Sequence, residues 1–323
     1  MASPRATYSI LRCLSPQKGP NLPNRSLKLS PKVSEKSLLS TKWIGGSQNP
    51  HPVLSVDTPN RKKIINEGDF GKSHRILGNG AFGTVYEACY KGKAVAAKMI
   101  DHYRRRKSLS SMERDMAFLR HSNIVKILRV DEGPAMTLIT MELCGESLQD
   151  LIEENPISKD QKVHIWMSIA HALDYCHKMG IVHSDVKPKN VLMSEDNQPK
   201  LADFGSAIFM REPFNSSIFH GTPGYTAPEV VRNNTPTPQS DVYSLAVLAW
   251  QMLSRKPPFY GLHKHAILYL TGKGQTPPDS DFDDEFNGKY KWLYSKNWSK
   301  KPQDRLDLTT TIQYLESLQK EIS

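Results

Sequence analysis

The densest group of polar residues in this 323-residue chain is the run His-Ser-Asp-Val-Lys-Pro-Lys-Asn, which begins at His183. It places Asp185, Lys187 and Asn190 within six residues of one another. Asp203 follows thirteen residues after Asn190, in the sequence Asp-Phe-Gly. A carboxylate can accept a proton from an attacking hydroxyl, a lysine can meet a phosphate, and a carboxylate with an amide can bind a hard divalent metal. The group predicts phosphoryl transfer from a nucleoside triphosphate.

A glycine-rich run lies earlier in the chain and offers backbone N–H groups to phosphates. It comprises Leu77, Gly78, Asn79, Gly80, Ala81, Phe82, Gly83, Thr84 and Val85. A dinucleotide-binding fingerprint shares this spacing but requires a helix directly after the glycines, whereas Thr84–Tyr90 is typical of a strand. A glycine-rich hairpin without a ligand is the alternative interpretation.

Lys98 ends the apolar run Val95-Ala96-Ala97, thirteen residues after Val85. A cation that emerges from a buried strand needs an anion, and phosphate oxygens are the natural candidates. A polar helix is expected over Leu109–Arg120. Either Glu113 or Asp115 on that helix could hold the lysine in position.

The motifs, in this order, resemble the catalytic domain of a eukaryotic protein kinase over residues 67–323. Further matches are Gly221-Thr222, Ala227-Pro228-Glu229, Ser240-Asp241-Val242-Tyr243-Ser244 and Arg305. The resemblance implies an α+β, bilobal fold. A β-rich N-lobe with one helix would span about 67–143, and a mainly helical C-lobe about 146–323.

The same resemblance implies a role for each site residue, with ATP and Mg²⁺ as cofactors. Asp185 would be the catalytic base, Lys187 a γ-phosphate contact, and Asn190 and Asp203 the metal ligands. Lys98 would contact the α- and β-phosphates and pair with Glu113, and the nine residues of the glycine-rich run would bind the nucleotide. Backbone groups of Glu142 and Cys144 would hydrogen-bond adenine beneath Met141. Glu229 would pair with Arg305, and Asp241 would anchor the catalytic-loop backbone.

Two features refine the activity that the resemblance implies. Lys187 together with Thr222 is similar to the serine/threonine pattern, so a Ser or Thr hydroxyl is the expected acceptor. Ser184 stands where the family usually has the arginine that receives an activation-segment phosphate. A phosphate on that segment would lack this arginine as a partner. We therefore expect the kinase to be active without phosphorylation of the segment.

Within the family, three stretches resemble a branch of MAP kinase kinase kinases that acts in oocyte meiosis: 120–125, 249–252 and 265–269. This resemblance implies a monomeric, non-receptor kinase that phosphorylates a MAP kinase kinase in the cytoplasm. Two alternatives stay open. The chain could be a Raf-like or mixed-lineage-like kinase, or a pseudokinase scaffold.

Composition limits the other functional classes. The chain carries a net charge of +10, but residues 1–66 hold eleven Lys or Arg against two acids, so the remainder is nearly neutral. This distribution argues against a nucleic-acid-binding fold. No apolar run approaches the ~20 residues of a spanning helix, which excludes membrane insertion. The four cysteines are widely spaced, as in a protein of a reducing compartment.

Residues 1–66 are rich in serine and proline and show no convincing periodicity, which predicts a disordered basic tail. The tail contains Ser3-Pro4, Ser15-Pro16, Ser30-Pro31 and Thr58-Pro59, minimal sites for proline-directed phosphorylation that could equally arise by chance. Its acid-poor start also resembles a transit peptide, although its prolines would break an amphipathic helix.

The remaining pattern predicts the elements that position the site. Strands are expected over Phe70–Leu77, Thr84–Tyr90, Ala94–Ile100, Ile127–Val130 and Thr137–Leu143. Apolar residues at helical spacing predict three buried helix faces. These faces are Ile165, Ile169, Leu173 and Cys176; Val242, Leu245, Ala249 and Leu253, with Ser240 as the N-cap; and Leu308, Ile312, Leu315 and Leu318.

Overall fold

A computed structural model describes residues 54–57, 64, 75–80, 83–102, 114–211, 221–279 and 285–322. All of them lie within one compact unit, Thr41–Ser323. A sheet dominates the N-terminal part of this unit and helices dominate the C-terminal part. This order confirms the predicted α+β fold, in which a β-rich part precedes a mainly helical part.

The sheet has six strands, and its main path runs in the order β1-β3-β4-β6-β5, with β2 also paired to β3. The strands are β1 (Leu54–Ser55), β2 (Ile76–Gly80), β3 (Gly83–Tyr90), β4 (Lys93–Asp101), β5 (Ile127–Glu132) and β6 (Met136–Glu142). Lys91 and Gly92 both have positive φ in the tight turn between β3 and β4. Such turns match the twist of an antiparallel hairpin, and glycine adopts them without strain.

The C-terminal part begins with helices α1 (Leu148–Glu154) and α2 (Lys159–Lys178). Four short strands follow: β7 (Ile181–Val182), β8 (Val191–Met193), β9 (Pro199–Leu201) and β10 (Ile208–Phe209). The α-helices that follow in the described ranges are α3 (Pro228–Val231), α4 (Pro238–Ser254), α5 (Lys264–Gly272), α6 (Lys289–Asn297) and α7 (Leu308–Ile322). The predicted faces of α2 and α7 are fully buried, and on α4 only Leu253 is partly exposed.

Two local predictions are wrong. The chain leaves the helical conformation after Asp115, so the helix expected over Leu109–Arg120 does not include residues 116–120, and residues 109–113 lie outside the described ranges. Helix α4 begins three residues earlier than expected, with Thr237 as its N-cap and Ser240 as its third residue. Pro238 explains this shift because proline is favoured in the first helical turn. Ser240 completes the capping box instead.

Part of the predicted tail belongs to the sheet. Leu54 and Ser55 pair in parallel with Ala88 and Cys89 of β3, and the N–H of Val56 donates to the carbonyl of Cys89 at 2.9 Å. The Leu54, Val56 and Ile64 side chains are buried in one hydrophobic cluster with residues of β3, β4 and β6. The prediction of a disordered tail over residues 1–66 is therefore wrong for 54–57 and 64. Its other residues lie outside the described ranges.

The two apolar positions of this segment alternate with polar ones, as expected of a strand with one buried face. Leu54 and Val56 point into the cluster, while the Asp57 carboxylate accepts the N–H of Lys91 at 2.8 Å in the β3–β4 turn. Sequence reasoning missed the segment because two residues are too few for a periodic signal.

None of the described helices is long and apolar enough to cross a membrane.

We predict that Leu54→Ala lowers the free energy of unfolding by about 2–4 kcal/mol, because it removes a buried leucine from the cluster. Leu128→Ala is the matched control: Leu128 is 41% exposed in the same sheet, and its truncation should cost less than about 0.5 kcal/mol. Urea denaturation of both variants measures the difference. Equal effects would contradict a structural role for the segment.

Candidate active site

The Asp185 carboxylate lies in the loop between β7 and β8 and is held by three neighbouring side chains. Lys187 Nζ donates to Asp185 Oδ2 at 2.6 Å, and the Thr222 hydroxyl donates to Oδ1 at 2.7 Å. Lys187 also donates to the Thr222 hydroxyl at 2.8 Å. The Asn190 amide donates to the Asp185 carbonyl at 2.9 Å and to Oδ2 at 3.2 Å. The predicted base, lysine and amide are therefore in direct contact.

A second buried carboxylate shapes the loop that carries Asp185. Asp241 of α4 has no solvent exposure and accepts the backbone N–H of His183 at 2.8 Å and of Ser184 at 2.9 Å. His177 of α2 lies 2.9 Å from the same carboxylate. The predicted anchor is confirmed. Sequence reasoning missed His177, because nothing local links it to a residue 64 positions later.

The loop and the Asp203 segment are joined through His183. Its Nε2 lies 3.0 Å from the carbonyl of Ala202, and its Nδ1 accepts the N–H of Asp185 at 3.3 Å. The ring also meets Phe204 edge-on, with 4.8 Å between ring centroids. An Nε2–H donor and an Nδ1 acceptor satisfy both contacts with one tautomer. His183 thus couples the loop of the predicted base to the segment of the predicted metal ligand.

Lys98 on β4 reaches Asp203 across 105 residues of sequence, with its Nζ 2.8 Å from Oδ1. The lysine is buried, and Asp203 has a left-handed backbone with φ of 61°. Of the two carboxylates expected to hold Lys98, Asp115 instead pairs with the Arg114 guanidinium at 3.0 Å. Glu113 lies outside the described residues, and its pairing with Lys98 stays a prediction.

The glycine-rich run forms the hairpin of β2 and β3, in which Gly80 is paired with Gly83. Val85 stands opposite Lys98 in the register of β3 and β4, so the hairpin and the lysine occupy neighbouring strands. A Cβ on Gly83, whose φ is +144°, would lie 2.2 Å from the carbonyl oxygen of Met99. Only glycine fits there. Ala81 and Phe82 lie outside the described residues.

The predicted adenine contacts lie at the C-terminal end of β6, whose last residue is Glu142. The Glu142 carboxylate accepts the N–H of Lys126 at 2.7 Å and the ammonium of Lys200 at 3.1 Å, which fixes the end of the strand. Cys144 lies two residues later, in the segment that leads to α1, and its side chain is partly buried. Burial and the nearby Glu142 charge raise the pKa of the Cys144 thiol to about 11. The thiol is therefore neutral at physiological pH.

The large helical part is braced by a buried ion pair. Arg305 donates to both carboxylate oxygens of Glu229, at 2.7 and 2.8 Å. Such bidentate geometry is the strong form of an arginine–carboxylate contact. The pair expected from the sequence is confirmed. It ties α3, just after the segment that contains Thr222, to the turn before α7.

The donor set fits a divalent cation that is shared with a nucleotide. No group of three or more His, Cys, Asp or Glu side chains in the described part of the chain forms a metal cage of its own. Asn190 donates two hydrogen bonds through its amide nitrogen, which leaves its amide oxygen for a metal. Cations bound with phosphates commonly use one or two protein oxygens and take the rest from phosphate and water. Asn190 and Asp203 can each supply one such oxygen, the amide oxygen and a carboxylate oxygen.

A family model described as "Protein kinase domain" matches residues 72–315. The chain is 35% identical over 210 residues to the serine/threonine-protein kinase mos of Patiria pectinifera, covering 60% of each protein. It is 30% identical over 276 residues to the proto-oncogene serine/threonine-protein kinase mos of Sus scrofa, covering 76% of this chain and 80% of that one. Identity to the serine/threonine-protein kinase unc-51 of Caenorhabditis elegans is 33% over 208 residues, 57% of this chain and 24% of the relative.

The chain thus spans between a quarter and four fifths of the length of these relatives. The family match covers strands β2 to β6 of the sheet and the helices that surround Asp185, Lys98 and Asp203. ATP and a divalent metal are the general requirements of this family. The chain belongs to the protein kinase family and carries a serine/threonine protein kinase domain.

Proposed function

We propose that this chain is an active kinase that transfers the γ-phosphate of ATP, with Mg²⁺, to Ser or Thr hydroxyls of protein substrates. The observation that carries the proposal is the Asp185 carboxylate, held between Lys187, Thr222 and Asn190. A pseudokinase scaffold would have no need to keep these groups in contact.

The hydrogen bonds of Asp185 differ between its two oxygens. Among the described residues, Oδ2 accepts from Lys187 and Asn190, whereas Oδ1 accepts from Thr222 alone. A carboxylate oxygen has two lone pairs, so Oδ1 keeps one for the hydroxyl of the substrate. We infer that Oδ1 orients that hydroxyl and takes its proton, while Lys187 and Thr222 prevent the carboxylate from turning.

ATP with Mg²⁺ supplies the phosphoryl group and a cation to balance its charge. We assign Lys98 to the phosphates, and Asn190 and Asp203 to the metal. In the Lys98–Asp203 contact, a cation that can bind phosphate lies beside a carboxylate that can bind a metal. The two groups are therefore together before ATP or Mg²⁺ binds. We assign the glycine-rich hairpin and the backbone at Glu142 and Cys144 to the nucleotide.

We predict that Asp185→Asn and Asp203→Asn each lower the rate of phosphoryl transfer by about 10² to 10⁴, because each removes a charge used in the transition state. Asp196→Asn is the matched control, since Asp196 is an exposed carboxylate in the β8–β9 turn, and we expect it to keep the wild-type rate. Initial rates at saturating ATP, with circular dichroism to confirm folding, test the assignment. Wild-type kinetics for Asp203→Asn would refute it.

We predict that Cys144 reacts slowly with iodoacetamide and is protected by a non-hydrolysable ATP analogue. The thiolate is the reactive form, so a pKa of about 11 in place of 9.0 lowers the rate at pH 7 about 100-fold. The rate should rise tenfold per pH unit through pH 9.5. Mass spectrometry of the Cys144 peptide measures it, with Cys144→Ser as the control. An alkylation rate that stops rising below pH 9 would contradict the burial of the Cys144 thiol. A rate that the ATP analogue does not lower would contradict the placement of Cys144 at the nucleotide.

We further propose that the enzyme is a monomeric MAP kinase kinase kinase of the cytoplasm that phosphorylates a MAP kinase kinase during oocyte meiosis. Its support is the likeness to the two Mos kinases and the resemblance of the three stretches noted above. Likeness to kinases of other names, such as unc-51, keeps a Raf-like or mixed-lineage-like role as the alternative.

We predict that the wild-type chain, expressed in cells with low MAP kinase activity, raises dual phosphorylation of the downstream MAP kinase. Lys98→Met should not, because it removes the proposed phosphate contact. Immunoblotting for the doubly phosphorylated MAP kinase measures the response. If the wild type phosphorylates a generic substrate but leaves the cascade as silent as the variant does, the cascade role fails while the kinase activity stands.

A further inference from the structure

Tyr225 is a buried tyrosine close to the proposed base, and it has no part in the proposed chemistry. It belongs to the turn of residues 222–226, which we call the Thr222 turn. Three donors converge on the Thr222 carbonyl: the N–H of Tyr225 at 3.1 Å, the N–H of Thr226 at 3.1 Å and the Thr226 hydroxyl at 3.0 Å. The Thr222 hydroxyl donates to Asp185 at 2.7 Å. A contact that holds Tyr225 therefore also sets the position of a group that binds Asp185.

Helix α4 holds Tyr225 at both ends. The Ser244 hydroxyl donates to the Tyr225 carbonyl at 2.8 Å, and the Tyr225 hydroxyl donates to Oε1 of Gln251. Ser244 and Gln251 are seven residues apart, about two helical turns, so they share one face of α4. Burial raises the pKa of the Tyr225 hydroxyl, which stays protonated and acts as the donor. The tyrosine is thus fixed to α4 from its backbone to its hydroxyl.

The contact with Gln251 continues as a chain of hydrogen bonds to helix α1. Gln251 Nε2 donates to Gln149 Oε1 at 3.2 Å, and Gln149 Nε2 donates to Glu153 Oε1 at 2.6 Å. Both glutamines are buried, whereas Glu153 is exposed. We call Tyr225, Gln251, Gln149 and Glu153 the relay. It joins the Thr222 turn to a helix that carries none of the predicted site residues.

The relay has one direction, because every donor in it points toward Glu153. A tyrosine hydroxyl stands at one end as the donor, and an ionised carboxylate, which can only accept, stands at the other. Each glutamine must therefore turn its oxygen toward Tyr225 and its nitrogen toward Glu153. Turning one amide over would leave buried polar groups without partners, which is unfavourable.

The charge of Glu153 is available to the relay. Among the described residues, no cation pairs with its carboxylate, and α1 contains two further acids and no Lys or Arg. One of those acids, Asp150, binds Ser147 in the capping box at the start of α1. Hydrogen bonds in series polarise one another, so a charge at one end strengthens the contacts along the chain. Glu153 can thus anchor the relay.

We propose that Gln251 and Gln149 are positioning residues, which fix Tyr225 and the Thr222 turn against Asp185 through a relay anchored at Glu153. The proposal rests on the proposed kinase activity and deepens it, because it names residues that act on the base from outside the site. None of the four relay residues is assigned to ATP, to the metal or to the acceptor hydroxyl. The relay should therefore affect kcat and leave KM for ATP unchanged.

The test moves the carboxylate from the end of the relay to its middle. Gln251→Glu keeps an acceptor for Tyr225 but sets two carboxylates on either side of Gln149, which can donate to only one of them. Small displacements of catalytic groups can cost up to about 10² in rate, so we expect kcat to fall at least tenfold, with KM for ATP within twofold. The assay uses the full chain with Mg²⁺-ATP and two substrates, casein and a catalytically inactive MAP kinase kinase.

Adding Glu153→Gln to Gln251→Glu supplies an amide at the α1 end. Gln149 can then turn over, donate to the new carboxylate and accept from the new amide, so every group has a partner again. This swap should recover kcat to within threefold of the wild type. Gln251→Glu with Glu154→Gln is the matched control, because it has the same net charge but leaves Glu153 in place. It should stay as slow as Gln251→Glu alone.

A second pair of variants decides the proposal if Gln251→Glu does not fold. Tyr225→Phe removes only the hydroxyl that begins the relay, and we expect it to lower kcat at least fivefold with KM for ATP within twofold. Tyr243→Phe is its matched control, since the buried Tyr243 hydroxyl on α4 has no hydrogen-bond partner among the described residues. It should keep the wild-type kcat.

Recovery of kcat in the Glu154→Gln control would overturn the proposal, because net charge alone would then explain the swap. So would a folded Gln251→Glu at the wild-type rate, a folded swap without recovery, a rise in KM for ATP that matches the loss of kcat, or equal rates for Tyr225→Phe and Tyr243→Phe. If the wild type phosphorylates neither substrate, the kinase proposal fails. The midpoint of thermal unfolding then decides the relay: Gln251→Glu should lower it, and only the swap should restore it.

Discussion

The buried carboxylate of Asp241 is the contact on which the site depends. It accepts two consecutive N–H groups, from His183 and Ser184, and lies against the His177 ring. Ser184 has a left-handed φ of 67°, a conformation that a serine adopts only when its surroundings require it. The carboxylate meets that requirement by aligning both N–H groups. Removing one partner of such a buried charge commonly costs about 3–5 kcal/mol.

The contact with Asp241 also fixes the position of Asp185, which is the next residue after Ser184. The turn at Ser184 directs the next residue toward Lys187, Thr222 and Asn190, which bind its carboxylate from the loop itself and from a segment 37 residues later. Ser184 also occupies the place where an arginine would be expected to receive a phosphate. Its hydroxyl is buried without a hydrogen-bond partner in the described structure. The loop is thus held from the α4 side by Asp241, without a cation at that position.

The sheet places Lys98 in the candidate site, and most of its strands are needed to hold it there. Lys98 sits on β4 between β3 and β6, so its backbone is paired on both sides. β1 extends the β3 edge, and its Leu54 side chain shares a cluster with Val95 and Met99 of β4. A segment that precedes the family match therefore stabilises the strand that carries Lys98. This explains why a defect at residue 54 is expected to appear as lost stability.

The sequence by itself predicted which residues form the centre of the candidate site, because Asp185, Lys187 and Asn190 lie within six residues of one another. Periodicity likewise identified the buried faces of α2, α4 and α7, since each depends on spacing within a single helix. Contacts between distant segments needed the tertiary structure. These include Lys98 with Asp203, His177 with Asp241, and β1 with β3. They depend on how the chain folds back on itself, and no local pattern encodes which of several carboxylates a lysine will meet.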